Sequence, residues 1–140
     1  MASEHRLEAE VLTPEGEVFR GKLFQLSTRT SVGEVGIRAR HAPMVARLVP
    51  HELRLHVSEN ASDTIRYAQG EGWLEVFANR ARVLIAEAIP PENLDAAELR
   101  ERLKDAEQRL AEAEQGTAAY EQAVRDKRRA EAFIEIAERR

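Results

Sequence analysis

The sequence predicts a β body followed by an α-helical hairpin: an N-terminal antiparallel β-sandwich over residues 1–89, then a C-terminal antiparallel pair of helices over residues 90–140. Three observations carry this. Short runs of alternating polarity, separated by turn residues, fill the first 89 positions, the pattern of an all-β sandwich or barrel. Composition breaks at Pro90-Pro91, because all five prolines and six of the seven glycines lie at or before residue 91. Beyond that point an apolar seam recurs at helical spacing, interrupted once, at Gly116.

In chain order, Leu7, Ala9 and Val11 alternate with Glu8 and Glu10, a strand with one dry face. Thr13-Pro14-Glu15-Gly16 supplies turn chemistry, and Val18-Phe19 leads through Gly21 into Leu23-Phe24-Gln25-Leu26. The stretch Ser31-Val32-Gly33-Glu34-Val35-Gly36-Ile37 reads as a sharp turn in which two glycines bracket Glu34 and present it outward. It runs on into Arg38-Ala39-Arg40-His41-Ala42-Pro43-Met44. Leu53, Leu55 and Val57 alternate with Glu52, Arg54 and His56 as a one-face strand. A polar loop over residues 58–63 precedes a return strand from Thr64 to Ala68. After Gly70 and Gly72 come Trp73-Leu74-Glu75-Val76-Phe77, a reversal at Asn79, and Val83-Leu84-Ile85. Pro90-Pro91 closes the body, since successive rings remove ladder donors.

In the hairpin, Asn93 is the expected N-cap, with Asp95 and Glu98 suited to the positive end of the helix dipole. Leu99, Leu103, Ala106, Leu110 and Ala113 form one seam. Tyr120, Ala123, Val124, Ala130, Ile134 and Ala137 form the other, while Phe133 and Ile136 widen the face toward the body or a partner. Glu98–Arg102, Asp105–Arg109, Glu121–Arg125 and Glu135–Arg139 stand at i,i+4 with the acid first, each supporting helix by a few tenths of a kcal/mol. An alanine-rich seam leaves little surplus, so the hairpin is expected to dock weakly and to swing when a better surface is offered.

Composition excludes several classes of function. Twenty-one basic against 25 acidic residues give a net charge of −4, too balanced for a general nucleic-acid footprint. The absence of cysteine removes disulfides, thiol catalysis and cysteine-ligated metal sites. No apolar run follows Met1-Ala2-Ser3-Glu4-His5-Arg6, so no signal peptide is expected. No segment approaches the roughly 20 apolar residues of a membrane-spanning helix. The expectation is a soluble cytoplasmic protein, or one peripheral to a larger assembly.

Catalytic and metal signatures are missing too. Gly70-Glu71-Gly72 is too short for a dinucleotide loop, and there is no phosphate-binding G-x-x-x-x-G-K-[ST] run. His5, His41, His51 and His56 lack metal-pair spacing, and the serines lack a nucleophile-elbow setting. No catalytic residue, metal site or cofactor is expected. On residue type alone, Glu34 is a solvated carboxylate and His41 a structural hydrogen-bond donor. Residues 92–140 carry 10 Lys/Arg and 13 Asp/Glu, and their one concentrated basic run is Arg125-Asp126-Lys127-Arg128-Arg129. That run is either a solvated helix face or a docking surface for an acidic partner, where charge sets orientation and on-rate.

These residues together resemble the epsilon subunit of bacterial F-type ATP synthase. Gly33-Glu34-Val35-Gly36-Ile37 followed by His41-Ala42-Pro43-Met44 is similar to the family's Gly-Glu-Leu-Gly-Ile…His-Ala-Pro-Leu signature. Leu12-Thr13-Pro14-Glu15-Gly16-Glu17-Val18-Phe19 with Gly21 resembles its opening strand pair. Gly72-Trp73-Leu74-Glu75-Val76 and Val83-Leu84 resemble its later strands. The resemblance implies a non-catalytic rotor subunit of the central stalk, peripheral to the cytoplasmic face of the bacterial plasma membrane and touching the membrane only through the complex. It implies a body that binds the gamma subunit and the c-subunit ring, with Gly33, Glu34, His41 and Pro43 in the loop facing them. It also implies a hairpin able to extend toward the alpha and beta subunits and restrain ATP hydrolysis, docking through Arg125, Lys127, Arg128 and Arg129. No nucleic-acid partner is implied.

One departure bears on nucleotide. Family members that bind ATP carry Ile/Leu-Asp-x-x-Arg-Ala early in the first helix, whereas here the run is Leu94-Asp95-Ala96-Ala97-Glu98-Leu99. A carboxylate at Glu98 repels phosphate, so weak or absent ATP binding is expected. Two readings from other classes compete. A coiled-coil or chaperone-like module would need an apolar hairpin tip, which residues 113–117 lack. A small nucleotide-binding regulator would need the missing phosphate loop.

Overall fold

The computed structural model of the chain describes residues 5–139. Alternation sets the first strand as expected: in β1 (Leu7–Thr13) the side chains of Leu7, Ala9 and Val11 are buried and the carboxylates take the other face. The Pro14-Glu15 turn returns the chain into β2 (Gly16–Leu23), antiparallel to β1 with an irregularity at Val11/Leu12. The run through Leu23 to Leu26, read from sequence as continuous, is broken at Phe24. Its backbone N–H donates to the His56 carbonyl at 2.8 Å, so the chain leaves the layer holding β2 and begins β3 (Gln25–Thr30) in the other.

The glycine-bracketed stretch is a strand rather than a turn. β4 (Gly33–Ile37) pairs antiparallel with β3, setting Glu34 opposite Arg29 and Ile37 opposite Leu26. The reversal itself falls on Ser31-Val32. Gly33 leaves it at a φ of 136°, which a side chain would strain, and Thr30 Oγ1 bridges the turn between Val32 N and the Gly33 carbonyl. The remaining strands are β5 (Met44–Leu48), β6 (His51–His56), β7 (Thr64–Gln69), β8 (Gly72–Phe77), β9 (Arg80–Ile85) and the short β10 (Ala88–Ile89). A 3-10 turn, Ala61–Asp63, lies within the polar loop before β7. Alternation did not announce β4, β5 or β10, because each is short and carries little contrast between its faces.

One hydrogen-bonded path runs β10-β7-β6-β3-β5-β8-β9-β1-β2, with β4 on the other edge of β3. The crossing from β3 to β5 rests on the single register pair Thr30↔Leu48, where the sheet folds over on itself into a sandwich. One layer is β4-β3-β6-β7-β10 and the other β5-β8-β9-β1-β2. Every ladder is antiparallel except β1 with β9, which run parallel from Glu8↔Arg80 to Leu12↔Leu84. Period-two polarity is blind to strand direction, so this pair was not legible in advance.

Leu7, Val11, Leu23, Leu26, Ile37, Leu48, Leu53, Leu55, Leu74 and Val83 fill the space between the layers as one cluster. Burying each such side chain contributes about 1.5–3 kcal/mol. Two polar groups sit inside without penalty. Thr28 Oγ1 donates to Gln69 Oε1 at 2.6 Å, and Gln69 Nε2 donates to the Val49 carbonyl at 2.8 Å.

The chain divides into two compact units, one ending at Pro90 and the other beginning at Pro91. In the second, a 3-10 turn (Pro91–Asn93) precedes α1 (Ala96–Glu112), and α2 (Ala118–Glu138) follows a short link. Asn93 lies in that 3-10 turn, and the N-cap is Asp95, whose carboxylate accepts from the backbone N–H of Ala97 and Glu98 at 3.0 and 3.2 Å. At the start of α2, Thr117 Oγ1 accepts from Tyr120 N. Ion pairs Arg100–Glu138 and Arg109–Asp126 tie the start of one helix to the end of the other, the signature of antiparallel packing. Phe133 and Ile136, expected to widen the seam, are instead its most deeply buried large side chains, and Ile134 is half-buried.

Candidate functional site

The four loop residues singled out by sequence do not share one place. Gly33 and Glu34 begin β4, beside the Ser31-Val32 turn. His41 and Pro43 lie in the connection from β4 to β5, where the Arg40 backbone N–H is held by Asn79 Oδ1 at 2.9 Å. β5 marks the separation: its first residue, Met44, pairs Val76 near the Asn79 reversal, and its last, Leu48, pairs Gly72 and Thr30. Four residue steps of strand span about 13 Å. The candidate loop is therefore two clusters at opposite ends of the sandwich.

At the Glu34 end, the carboxylate is 66% exposed and lies 3.2 Å from His51 Nε2, whose side chain is only 18% exposed. Val32, at the tip of the turn, is 95% exposed. At the His41 end, the His41 ring donates through Nδ1 to the Ala42 carbonyl at 2.7 Å, and its backbone N–H reaches the Arg38 carbonyl. Asn79 fixes this end by three bonds. Beyond its contact with Arg40, its Nδ2 donates to the Arg6 carbonyl, and its own carbonyl accepts from Glu8 N.

Two surfaces escaped the sequence argument. On the outer face of the β5-β8-β9-β1-β2 layer, Val45, Trp73 and Phe77 are exposed at 70%, 49% and 71%. Val45 pairs Glu75 in register, so it sits diagonally between Trp73 and Phe77, and the three make an apolar strip bent around the exposed Glu75. Strand parity carried the signal, since Leu74 and Val76 point inward and so force Trp73, Glu75 and Phe77 outward. Next to the strip runs a ladder of charge. Glu10 is bonded to Arg82 and Arg20, Arg20 also to Glu17, and Glu8 to Arg80. The hydrogen bond from Arg82 holds the Glu10 carboxyl below the usual carboxylate range, and the fields of Arg20 and Arg80 reinforce it.

The other missed surface is the outer face of the β3-β6-β7 ladder. Arg38 donates to Gln25, Gln25 to Ser27 Oγ, and His56 lies between Ser27 and Thr64 at 3.2 and 3.3 Å. Beside it, Glu52 is 8% exposed and bonded to both Arg54 and Arg66, which face each other across the strands. Burial lowers the His56 pKa first, and Arg54, Arg66 and Arg38 lower it further. Among the described residues no three His, Asp or Glu side chains converge as metal ligands.

In the hairpin, the basic run divides around α2. At about 100° per residue, Arg128 and Arg129 fall within about 60° of Arg125, whereas Lys127 is about 160° away. Lys127 is half-buried, Asp126 is engaged by Arg109, and the Arg129 guanidinium stacks 4.5 Å from the Phe133 ring centroid. Glu98, on the first turn of α1, takes two hydrogen bonds from Arg102.

Comparison with known proteins places this arrangement. Residues 6–91 match the family model of the ATP synthase delta/epsilon chain β-sandwich domain. Across most of its length the chain is 33% identical, over 132 residues, to the ATP synthase epsilon chain of Persephonella marina, covering 91% of this chain and 93% of that one. The chain belongs to the ATP synthase epsilon-chain family. A second epsilon chain, from Halalkalibacterium halodurans, is 32% identical over 133 residues, covering 95% of this chain and 98% of the relative. Among solved structures, a chain of the Euglena gracilis mitochondrial ATP synthase (its OSCP/F1/c-ring part) has the same fold. It superposes with a TM-score of 0.78 at 19% identity over 91% of this chain and 79% of that one. A chain of the Tetrahymena thermophila central stalk and c-ring superposes with a TM-score of 0.59 at 18% identity, covering 93% of this chain and 95% of that one. An epsilon chain is a subunit of the ATP synthase and not an enzyme in its own right. Neither helix of this epsilon chain is long and apolar enough to cross a membrane among the described residues.

Proposed function

We propose that this epsilon chain is a rotor component of the central stalk, whose sandwich grips the gamma subunit and stands on the c-subunit ring. The observation that carries this is the apolar strip of Val45, Trp73 and Phe77. A two-layer sandwich has room inside for large apolar residues, so three of them grouped around Glu75 on an outer face mark a surface that a partner covers. The adjacent ladder of Glu10, Arg20, Arg80 and Arg82 supplies the polar rim that fixes orientation. This face is assigned to the gamma subunit. The Glu34 end, with its exposed carboxylate, is assigned to the c ring, and His41 with Pro43 belongs to the opposite end. The protein then sits peripherally on the cytoplasmic face of the bacterial plasma membrane, held there through the complex.

The hairpin is assigned the restraint of ATP hydrolysis, with Arg125, Arg128 and Arg129 as the arc that meets an acidic segment of the alpha and beta subunits. Lys127 lies off that arc and adds little. Glu98 keeps the nucleotide signature broken, and its engagement with Arg102 supports weak or absent ATP binding. The test is capture of the isolated gamma subunit by the full-length protein and by Phe77→Asp and Val45→Asp variants. The reading expects capture to fall at least about tenfold in each variant, since a charge in the centre of an apolar contact costs more than a tenfold factor in affinity. Unchanged capture sinks it. ATPase activity of the reconstituted head, with the whole chain and with one ending at Pro91, tests the hairpin separately, and equal rates remove the inhibitory role.

A further inference from the structure

Glu34 is built into its end of the sandwich by a neighbour from another strand. The His51 imidazole, from the first residue of β6, lies 3.2 Å from Glu34 Oε1. Pro50 fixes the backbone before it, and pairing with Gln69 fixes its register. The charged residues on the strands near this end of the sheet come from several elements. Glu34 approaches from β4 and Arg29, its register partner, from β3. Glu52 and Arg54 lie on β6 itself, with Arg66 of β7 bonded to Glu52. Glu87 packs against Gly70, one residue beyond Gln69. Arg54 and Arg66 are committed to Glu52, and Glu34 is a largely exposed carboxylate within hydrogen-bond reach of the imidazole.

We propose that His51 is a positioning residue for the docking carboxylate of Glu34. When protonated it draws that carboxylate against the sheet, and when neutral it leaves it to a cationic side chain of the partner. This rests on the reading that the Glu34 end meets the c ring. A histidine changes charge between roughly pH 5 and 8. In its charged form, His51 competes with the partner's cation for the same oxygens through a charge-assisted bond. Engagement of the ring is thereby weaker on the acid side of the imidazole's titration and stronger on the alkaline side. Because Glu34 is mostly exposed, the pair adds little to stability, so its removal leaves the fold in place.

Two measurements on the full-length protein test this. In the isolated protein, NMR titration of the histidine rings should show His51 holding its proton to higher pH in the wild type than in Glu34→Gln. Coincident titrations overturn the proposal whatever the ring does. With a purified subcomplex of gamma subunit and c ring, wild-type affinity should rise about two- to fivefold from roughly pH 6 to roughly pH 8, the range an exposed ion pair supports. His51→Gln should flatten that dependence, and His51→Lys should hold the low-pH affinity throughout. A dependence that persists in His51→Gln overturns the proposal. Equal affinity of Glu34→Gln and wild type at both pH values overturns the ring-facing assignment itself, a failure the NMR result distinguishes.

Discussion

Arg109 spans the hairpin: its Nη2 donates to Asp126 Oδ2 at 2.8 Å, while its Nε holds Asp105 Oδ2 at 2.9 Å within α1. One guanidinium thus supplies both an intrahelical pair and the link between helices. Burial works to raise the Asp126 pKa, but bonds from Gln122 and Arg109 outweigh it and hold the carboxyl below its usual range.

A group with a depressed folded pKa contributes stability above its unfolded value, and that contribution is lost as pH falls through the folded value. Helicity of the hairpin is therefore expected to weaken as pH drops below about 4, the ordinary aspartate range. In Asp126→Asn the weakening should already be present at neutral pH, with a smaller further loss in acid. A double-mutant cycle of Arg109→Gln with Asp126→Asn, read by thermal melts, should give a small but measurable stabilising coupling, as exposed pairs with good geometry do. Zero coupling would make the contact decorative.

The helix start gives a sharper contrast. Asp95 accepts two backbone donors of the first turn, while Asn93 lies in the preceding 3-10 turn. Asp95→Ala should destabilise α1 by about 1 kcal/mol, the usual cost of losing a cap. Asn93→Ala should change stability by less than about 0.5 kcal/mol, as surface substitutions do. Circular dichroism melts of the two variants check this, and equal losses would contradict the capping assignment.

Gly72 has a different reason for being glycine. A Cβ there would lie 1.9 Å from the Leu84 carbonyl oxygen, and backbone cannot rotate aside as a side chain can. Gly72→Ala should force β8 and β9 apart where Trp73 pairs Leu84, at a cost of about 3 kcal/mol, the upper end for overpacking. Chemical denaturation measures this. A variant as stable as wild type would mean the two strands slide without cost.

How far such features can be read in advance depends on whether their cause is local. The strands with strong alternation, such as that bearing Leu7, Ala9 and Val11, announced themselves, as did the helical seams after Pro91. Asp95 escaped notice as the N-cap because Asn93 carries the same chemistry two residues earlier, and only the intervening 3-10 turn decides between them. The turn placed at Gly33 to Gly36 was a strand because its partner, β3, lies upstream and supplies the ladder. The site suffered most. Glu34 and His41 are near in sequence and fall at opposite ends of a strand, whereas His51 is distant in sequence and within hydrogen-bond reach of Glu34. Period-two patterns report faces, and they carry no information about which strands become neighbours.

The outer face of the β3-β6-β7 ladder makes the last prediction. Gln25 donates to Ser27 Oγ, and His56 lies 3.2 Å from Ser27 Oγ and 3.3 Å from Thr64 Oγ1. A neutral imidazole completes that chain with consistent polarity, accepting from Ser27 and donating to Thr64. Burial, and after it Arg54, Arg66 and Arg38, lowers the His56 pKa in the folded state. Between the folded and unfolded values the unfolded chain binds more protons, so stability rises with pH across that window. The protein is expected to keep this contribution above about pH 6.5, the ordinary histidine value, and to lose it progressively as the pH falls below. His56→Gln retains a donor and an acceptor without the titration, so its melting temperature should be flatter across the same interval. Urea midpoints of both proteins, measured at closely spaced pH values, decide the matter: parallel slopes would assign the acid sensitivity to another group.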